Sequence, residues 1–277
     1  MNCIITGASK GLGRAVAERF AAGGYDLCLC SRNAAALSAA EKELSSRYPS
    51  VTIRAAAFDL GIKEQVQAFG QWVLEIGIGG NGPGPNKGGG LDAGKGRDPG
   101  AGDGEDPGAG DGGDPRGGRP GAGVDVLVNN AGQFIPGSVW DEPDGALEDL
   151  IAVNLYSAYH LTRLLLPGMM AQKKGHIFNM CSVASLKAYP NGGAYSISKF
   201  ALAGFSANLR EEMKPYGIKV TTVYPGAAYT DSWIGSGVDP QRIMEAADVA
   251  DMIYAASRLS PQATVEEILL RPQLGDL

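Results

Sequence analysis

Histidine and cysteine are scarce in this chain of 277 residues, and their placement argues against two classes of protein. The two histidines, His160 and His176, do not have a spacing typical of metal ligands. The four cysteines lie in apolar runs that are predicted to be buried strands, and none of them forms a CxxC pair. We therefore expect no metal site, and we expect reduced core thiols rather than a disulfide or a nucleophile. These thiols belong to Cys3, Cys28, Cys30 and Cys181.

An excess of positive charge is also missing. The chain has 24 basic and 30 acidic residues, which gives a net charge of −6. No overall positive field is available to hold a nucleic-acid backbone or an anionic membrane. The first residues include neither a basic segment nor an apolar stretch of the length of a signal peptide or a membrane span. These features predict a cytoplasmic protein that binds neither nucleic acid nor membrane.

What the chain does contain is a regular alternation of short apolar runs and helical segments. Apolar runs of this kind, continuous rather than alternating, are typical of parallel strands that are buried on both faces. The pattern predicts an α/β protein with a single doubly wound parallel sheet, the Rossmann type, of six or more strands. The predicted strands span 3–6, 25–30, 51–58, 124–128, 176–180 and 219–224, and the longer predicted helices span 34–47, 63–76, 146–170 and 195–216.

Residues 77–123 interrupt this alternation. Of these 47 residues, 21 are glycine and six are proline, and an eight-residue repeat occurs at 98–105 and 106–113. The segment has too few apolar side chains to form a core, so it predicts a disordered surface insertion within one domain that spans 1–277. Calcium binding by its aspartates is a weaker interpretation, because the repeat lacks a rigid loop with six or more oxygen ligands.

A glycine-rich sequence, TGASKGLG at 6–13, joins the first predicted strand to the first predicted helix. Backbone N–H groups and the positive end of the helix dipole would meet a diphosphate there, and glycine allows the close approach that this requires. The alternative is an ordinary strand–helix turn. The predicted cofactor contacts in this loop are Gly7, Ser9, Lys10, Gly11, Leu12 and Gly13.

The end of the second predicted strand carries Ser31 and Arg32, where an NAD enzyme usually has a carboxylate. Arg32 and Lys10, with Arg14 as a further candidate, are able to pair with a 2′-phosphate that an acid would repel. The sequence therefore predicts NADP(H) as the cofactor. The alternative is that Arg32 is a solvated loop cation.

Tyr195 and Lys199 are four residues apart at the start of a predicted helix, so their side chains project from one face. A phenol has a reference pKa of about 10, and a nearby ammonium group, together with the positive charge of an oxidised nicotinamide, would lower the pKa toward neutral pH. Ser182 ends a predicted buried strand, where its hydroxyl is able to orient a substrate carbonyl. The three residues predict general acid–base chemistry on a carbonyl or an alcohol.

Taken in order, these motifs resemble the short-chain dehydrogenase/reductase family over nearly the whole chain except the insertion. The further matching motifs are Asp59-Leu60, NNAG at 129–132, Asn154 and Pro225-Gly226 followed by Thr230. The resemblance implies an oxidoreductase that transfers a hydride between nicotinamide and a carbonyl or alcohol carbon. It also implies a homodimer or a homotetramer.

The resemblance assigns a role to each residue. Tyr195 would donate the proton, Lys199 would hold the nicotinamide ribose and tune the phenol, Ser182 would hold the carbonyl, and Asn154 would support a water relay. Asp59 and Leu60 would lie against adenine, and Asn129 near its ribose. Ala131 and Gly132 would also contact the cofactor, and Pro225, Gly226 and Thr230 would lie beside the nicotinamide carboxamide and the diphosphate. In the structural alternatives Asn154 is a helix-kinking amide, Asp59 a strand-end cap and Asn130 a turn residue.

Residues 264–272 and 225–230 further resemble the bacterial sepiapterin-reductase-like branch of the family. This favours a pterin side-chain ketone or a small diketone as the substrate over a 3-oxoacyl thioester. Two other classes of function stay open at this stage. One is an NADP-sensing regulator without catalysis, since a fold alone does not guarantee activity. The other is an interaction protein that acts through the insertion.

Overall fold

The computed structural model describes residues 1–76, 123–230, 233, 235 and 237–276. The predicted disordered insertion, except for its last residue, Gly123, lies outside the described residues. Among the helices that are described, none combines the length and the apolar character needed to cross a membrane.

Seven parallel strands form one sheet in the order β3-β2-β1-β4-β5-β6-β9. From β1 the chain runs outward through β2 and β3, then returns past β1 and continues through β4 to the opposite edge. This reversal confirms the predicted doubly wound fold and places the switch point between β1 and β4. The strands are β1 Asn2–Thr6, β2 Asp26–Ser31, β3 Ile53–Ala57, β4 Val126–Asn129, β5 Gly175–Met180, β6 Ile218–Pro225 and β9 Glu267–Leu270.

Two very short strands, β7 Ala228–Tyr229 and β8 Met244–Glu245, pair next to the sheet. Helices cover both faces of the sheet, because its central strands are apolar on both sides and need two layers to bury them. One face packs against α1, α2 and α7, and the other against α3, α5 and the end of α6. The helices are α1 Gly11–Ala22, α2 Ala34–Arg47, α3 Lys63–Ile76, α4 Ala146–Ile151, α5 Ser157–Gln172, α6 Gly193–Met213 and α7 Ala246–Ser257.

The helix predicted over 146–170 is interrupted. Between α4 and α5 the chain makes a π-helical turn, Ala152–Tyr156, which contains the fully buried Asn154. Single π turns inside helices are frequent at functional sites. The sequence pattern does not reveal this turn, because its composition remains compatible with an α-helix.

The four cysteines are buried and free, as predicted. Burial raises the pKa of Cys30 to about 12 and that of Cys181 to about 11, so both thiols stay protonated at neutral pH. The described residues contain no cluster of three or more His, Cys, Asp or Glu side chains that would hold a metal ion.

Candidate active site

A cleft of about 1180 Å³ lies where the strands end, above the switch point of the sheet. It reaches from the carboxyl end of β2 to that of β6. We call the region around Lys10, Ser31 and Arg32 the β2 end, and the region around Ser182, Tyr195 and Lys199 the β5 end. The predicted site residues that line the cleft are Gly7, Ser9, Lys10, Gly11, Leu12, Gly13, Ser31, Arg32, Asp59, Leu60, Ala131, Gly132, Ser182, Tyr195, Lys199, Pro225, Gly226 and Thr230.

The glycine loop between β1 and α1 forms the floor of the cleft. Gly7 and Gly11 have φ angles of +67° and +58°, a region that glycine adopts without strain. A Cβ built on Gly13 would lie 2.3 Å from the carbonyl oxygen of Gly7, so only glycine lets the helix start so close to the turn. Within the described residues no side chain caps the amino end of α1, which leaves its first N–H groups available to an anion.

Asn130 fixes this loop to the end of β4, and the sequence interpretation of it as a turn residue overlooked that role. Its side-chain Nδ2 donates to the carbonyl oxygens of Thr6 (2.9 Å) and Gly7 (3.1 Å). Its backbone N–H donates to Thr6 Oγ1 at 3.0 Å. Asn130 also lines the cleft. The Asn-Asn doublet at a predicted strand end was the available signal, because successive strand residues point to opposite faces.

Asn129, by contrast, directs its side chain into the protein interior. It is buried, with 3% of its surface exposed, and its Nδ2 donates to Thr162 Oγ1 (3.0 Å) and Asn179 Oδ1 (2.8 Å). These partners belong to α5 and β5, inside the protein. The side chain of Asn129 joins a buried polar network because β4 turns it inward, and the predicted contact of Asn129 with the adenine ribose stays a prediction.

At the β2 end the cations differ in their availability. Lys10 and Arg32 are exposed on the cleft wall, and no described residue pairs with either side chain. Arg14, a further candidate for the 2′-phosphate, instead donates to the carbonyl oxygen of Ala40 at 2.7 Å and pairs with Glu43 at 3.0 Å. Arg14 thus fastens α1 to α2, and two cations remain free for an anionic ligand.

Asp59 and Leu60 line the cleft next to the β2 end. The carboxylate of Asp59 accepts a hydrogen bond from the N–H of Gly61 at 3.0 Å, and its own N–H donates to Gln65 Oε1 at 2.6 Å. These bonds stabilise the turn into α3, as a cap after a strand would. The geometry is therefore compatible with both interpretations of Asp59, the cap and the ligand contact.

At the β5 end, Ser182 and Tyr195 both line the cleft. Ser182 begins a single 3-10 turn, Val183–Ser185, and its Oγ accepts from the N–H of Ala184 at 3.1 Å, which sets its orientation. Burial raises the pKa of Tyr195 to about 12, and the Ser182 hydroxyl opposes that rise. In the protein alone the pKa is raised, because loss of solvation outweighs the other effects, and the lowering predicted with an oxidised nicotinamide in place stays a prediction. The phenol is neutral and carries its proton at neutral pH.

Lys199 is buried beneath Tyr195. Its Nζ donates to the carbonyl oxygen of Met180 at 2.8 Å and lies 6.0 Å from the centroid of the Tyr195 ring. Burial lowers the pKa of Lys199. The ammonium group is held at the end of β5, where it faces the cleft beside Gly132.

Asn154 lies under the cleft floor next to Lys199. Its Nδ2 donates to the carbonyl oxygen of Gln133 (3.1 Å) and to Ser198 Oγ (2.8 Å), and its Oδ1 accepts from the Gln133 N–H at 2.7 Å. A Cβ built on Gly132 would lie 3.2 Å from Asn154 Oδ1 and 3.3 Å from Lys199 Nζ. Asn154 thus ties the segment after β4 to α6, and the predicted water relay through it stays a prediction.

Several cleft residues had no signal in the sequence. Phe134 packs edge-on against the Tyr195 ring, with centroids 4.8 Å apart. Tyr189 and Lys187 lie on the connection from Ser182 to α6, and Arg271 pairs with Asp276 beside Gly226. Phe134, Tyr189 and Lys187 reach the cleft from loops that no motif marks. Arg271 lies in the segment 264–272, which the sequence marked by its resemblance to one branch of the family but not as part of the cleft.

The comparisons with known proteins agree with this geometry. The family model described as short chain dehydrogenase matches residues 2–77 and 121–238, and the chain belongs to that family. An uncharacterized oxidoreductase of Staphylococcus epidermidis is 23% identical over 97% of this chain and 96% of its own. A sepiapterin reductase of Chlorobaculum tepidum is 34% identical over 56% of this chain and 64% of its own.

Among solved structures, a metagenomic short-chain oxidoreductase in complex with NADP is 26% identical and has a TM-score of 0.72. The superposition covers 99% of this chain and 97% of that one. The predicted family and fold are therefore confirmed. The family match resumes at residue 121, so the residues between 78 and 120 fall outside it.

Proposed function

We propose that this protein is an NADP(H)-dependent carbonyl reductase. The observation that carries the proposal is the placement of a neutral Tyr195 phenol, with Ser182 on the same wall and Lys199 close by, in the same cleft as an open glycine loop and two cations, Lys10 and Arg32, that no described residue pairs with.

The chain's own groups fit the cofactor. The uncapped start of α1 and the backbone of the glycine loop suit the diphosphate. Lys10 and Arg32 suit a 2′-phosphate, since no described side chain competes for them and Ser31 brings no repelling charge. The NADP complex of the related metagenomic oxidoreductase supports the same cofactor. Asp59 and Leu60 would flank the adenosine, and Ala131, Pro225, Gly226 and Thr230 would line the far half of the cofactor site.

When bound, the nicotinamide supplies the hydride. The chain's residues supply everything else: the hydroxyls of Ser182 and Tyr195 hold the carbonyl oxygen, and Tyr195 gives it the proton that turns it into an alcohol. The raised pKa of Tyr195 keeps that proton in place before reaction. Lys199 adds a positive charge that stabilises the phenolate left behind, and solvent returns the proton.

For the substrate we propose a small carbonyl compound, a pterin side-chain ketone or a diketone. The sepiapterin reductase similarity over 155 residues supports this class. A 3-oxoacyl thioester is the alternative. We further propose that the protein is cytoplasmic and forms a homodimer or a homotetramer. Light scattering of the purified protein tests the oligomeric state.

The test of the proposed function is a NADPH oxidation assay with pterin, diketone and 3-oxoacyl carbonyls, repeated with NADH. We expect turnover of at least one carbonyl with higher kcat/KM for NADPH. Ser31→Asp should shift the preference toward NADH, because the new carboxylate repels a 2′-phosphate. Tight NADPH binding without turnover of any carbonyl would instead identify an NADP-sensing regulator.

A further inference from the structure

The charges on the cleft wall are distributed unevenly. The protein carries a net charge of −6, yet the described residues that line its cleft include five cations and two acids. The cations are Lys10, Arg32, Lys187, Lys199 and Arg271, and the acids are Asp59 and Asp276. Positive charge concentrated in the cleft of an acidic protein favours anionic ligands.

Four of these cations have an assignment. Lys10 and Arg32 serve the proposed 2′-phosphate, Lys199 is fixed on Met180, and Arg271 is paired with Asp276. Lys187 is the cation to which no role has been assigned. Its side chain is exposed, and no described residue forms a hydrogen bond or ion pair with it.

Lys187 lies at the substrate side of the β5 end. It follows the 3-10 turn that begins at Ser182, and its backbone N–H donates to the carbonyl oxygen of Val183 at 3.3 Å. That bond fixes the backbone of Lys187 relative to Ser182, and its side chain lines the same cleft as Ser182 and Tyr195. Lys187 therefore belongs to the part of the cleft that a substrate would fill.

Two aromatic side chains share this wall. The ring of Phe134 stands edge-on to Tyr195 and is 56% exposed, and Tyr189 is 42% exposed. Burial raises the pKa of Tyr189, so its phenol is neutral. Exposed aromatic rings in a cleft favour flat ligands, because such a ligand covers them with little loss of conformational freedom.

From this arrangement we infer that Lys187 determines substrate specificity: the reductase prefers a flat carbonyl compound that carries an anionic group, which Lys187 binds. The inference rests on the proposed function and adds a charge requirement to it. Neither the pterin nor the diketone class by itself specifies that charge.

The experiment compares 4-acetylbenzoate with 4-acetylbenzamide, which are similar in size and differ in charge. We expect the unchanged enzyme to have a higher kcat/KM for the carboxylate. In Lys187→Gln this preference should fall by about 10-fold, the range expected for loss of a charged hydrogen bond. Lys187→Arg should retain most of it. The matched control is Lys42→Gln on the exposed part of α2, which should leave the ratio unchanged.

Two further measurements distinguish binding of a substrate anion by Lys187 from binding of the cofactor. The dissociation constants of NADPH and of both acetyl compounds are measured by fluorescence for each variant. An unchanged carboxylate-to-amide ratio in Lys187→Gln would overturn the inference, and a weaker NADPH affinity with that unchanged ratio would assign the ammonium to the cofactor. If neither compound is reduced but Lys187→Gln still loses the difference in binding, the anion site stands and the reductase proposal fails.

Discussion

At the β2 end of the cleft the two cations, Lys10 and Arg32, are exposed and have no partner among the described residues, whereas the two groups proposed for proton transfer at the β5 end, Tyr195 and Lys199, lie deeper in the protein and are held by their neighbours. Arg32 and Lys10 extend from loops into solvent, but Lys199 is bonded to Met180, and the Tyr195 ring packs against Phe134. A site that only binds tolerates mobile cations, because a phosphate attracts them from several directions. A site that transfers a proton needs fixed geometry, which burial and hydrogen bonds provide.

The largest effect is expected from Tyr195→Phe, which should separate the chemical step at the β5 end from cofactor binding at the β2 end. The change removes one acidic hydroxyl and keeps the ring that packs against Phe134. Turnover should fall by about 100-fold to 10,000-fold, because general-acid help is lost. NADPH affinity should stay nearly constant in a fluorescence titration.

Lys199→Ala is the comparison for that variant, since it should reduce both turnover and cofactor affinity. Single-turnover kinetics on the same samples report the chemical step. If Tyr195→Phe keeps more than about a tenth of normal turnover, Tyr195 is not the proton donor. Cofactor binding and proton transfer are then not separated between the β2 end and the β5 end.

A smaller effect is expected from Arg32→Gln. Loss of a charged hydrogen bond to a 2′-phosphate should raise the NADPH dissociation constant by about 10-fold and leave NADH nearly unaffected. Arg14→Gln is the matched control, because Arg14 is engaged with Ala40 and Glu43. It should alter stability without altering the NADPH-to-NADH ratio. An equal loss of affinity for NADPH and for NADH in Arg32→Gln would show that the β2 end does not distinguish a 2′-phosphate from a 2′-hydroxyl group.

Asn154→Ala tests whether the buried network under the β5 end is structural. The change leaves Gln133 and Ser198 without their partners, which should cost about 1–3 kcal/mol of unfolding free energy. A fall in Tm of several degrees is expected in thermal denaturation. Asn208→Ala is the control, since its amide bonds Gly204 on the exposed part of α6.

Turnover of Asn154→Ala, measured at a temperature where the variant is folded, decides whether Asn154 supports the predicted water relay. A large loss there supports the predicted water relay, because folding is then not limiting. Normal turnover with a lowered Tm would restrict Asn154 to holding the segment after β4 against α6.

The smallest effect concerns pH. Reduction uses the protonated phenol, so activity is present below the pKa of Tyr195 and is lost as pH rises through it. Since that pKa is raised to about 12 in the protein alone, ionisation of Tyr195 should not reduce the rate of carbonyl reduction between pH 6 and about 9. A kcat/KM profile at constant ionic strength checks this. A basic limb near pH 7 that disappears in Tyr195→Phe would contradict it.

The amino-acid sequence by itself determined the layers and the motif positions. Continuous apolar strands alternating with helices specify a parallel sheet covered on both faces, and such strands end at one edge of the sheet. Residues that end strands or begin helices, such as Gly7, Ser182 and Tyr195, were therefore placed in one cleft in advance. Periodicity and turn residues are local signals, and these predictions needed nothing more.

Tertiary structure alone decided the direction in which side chains point and how well they are solvated. Asn129 and Asn130 are neighbours, yet one joins a buried network and the other holds the glycine loop, because a strand sends successive residues to opposite faces. Arg14 was drawn to Glu43 by the approach of α2. The pKa of Tyr195 rose because burial removes water, a quantity set by distant parts of the chain that no spacing of motifs contains.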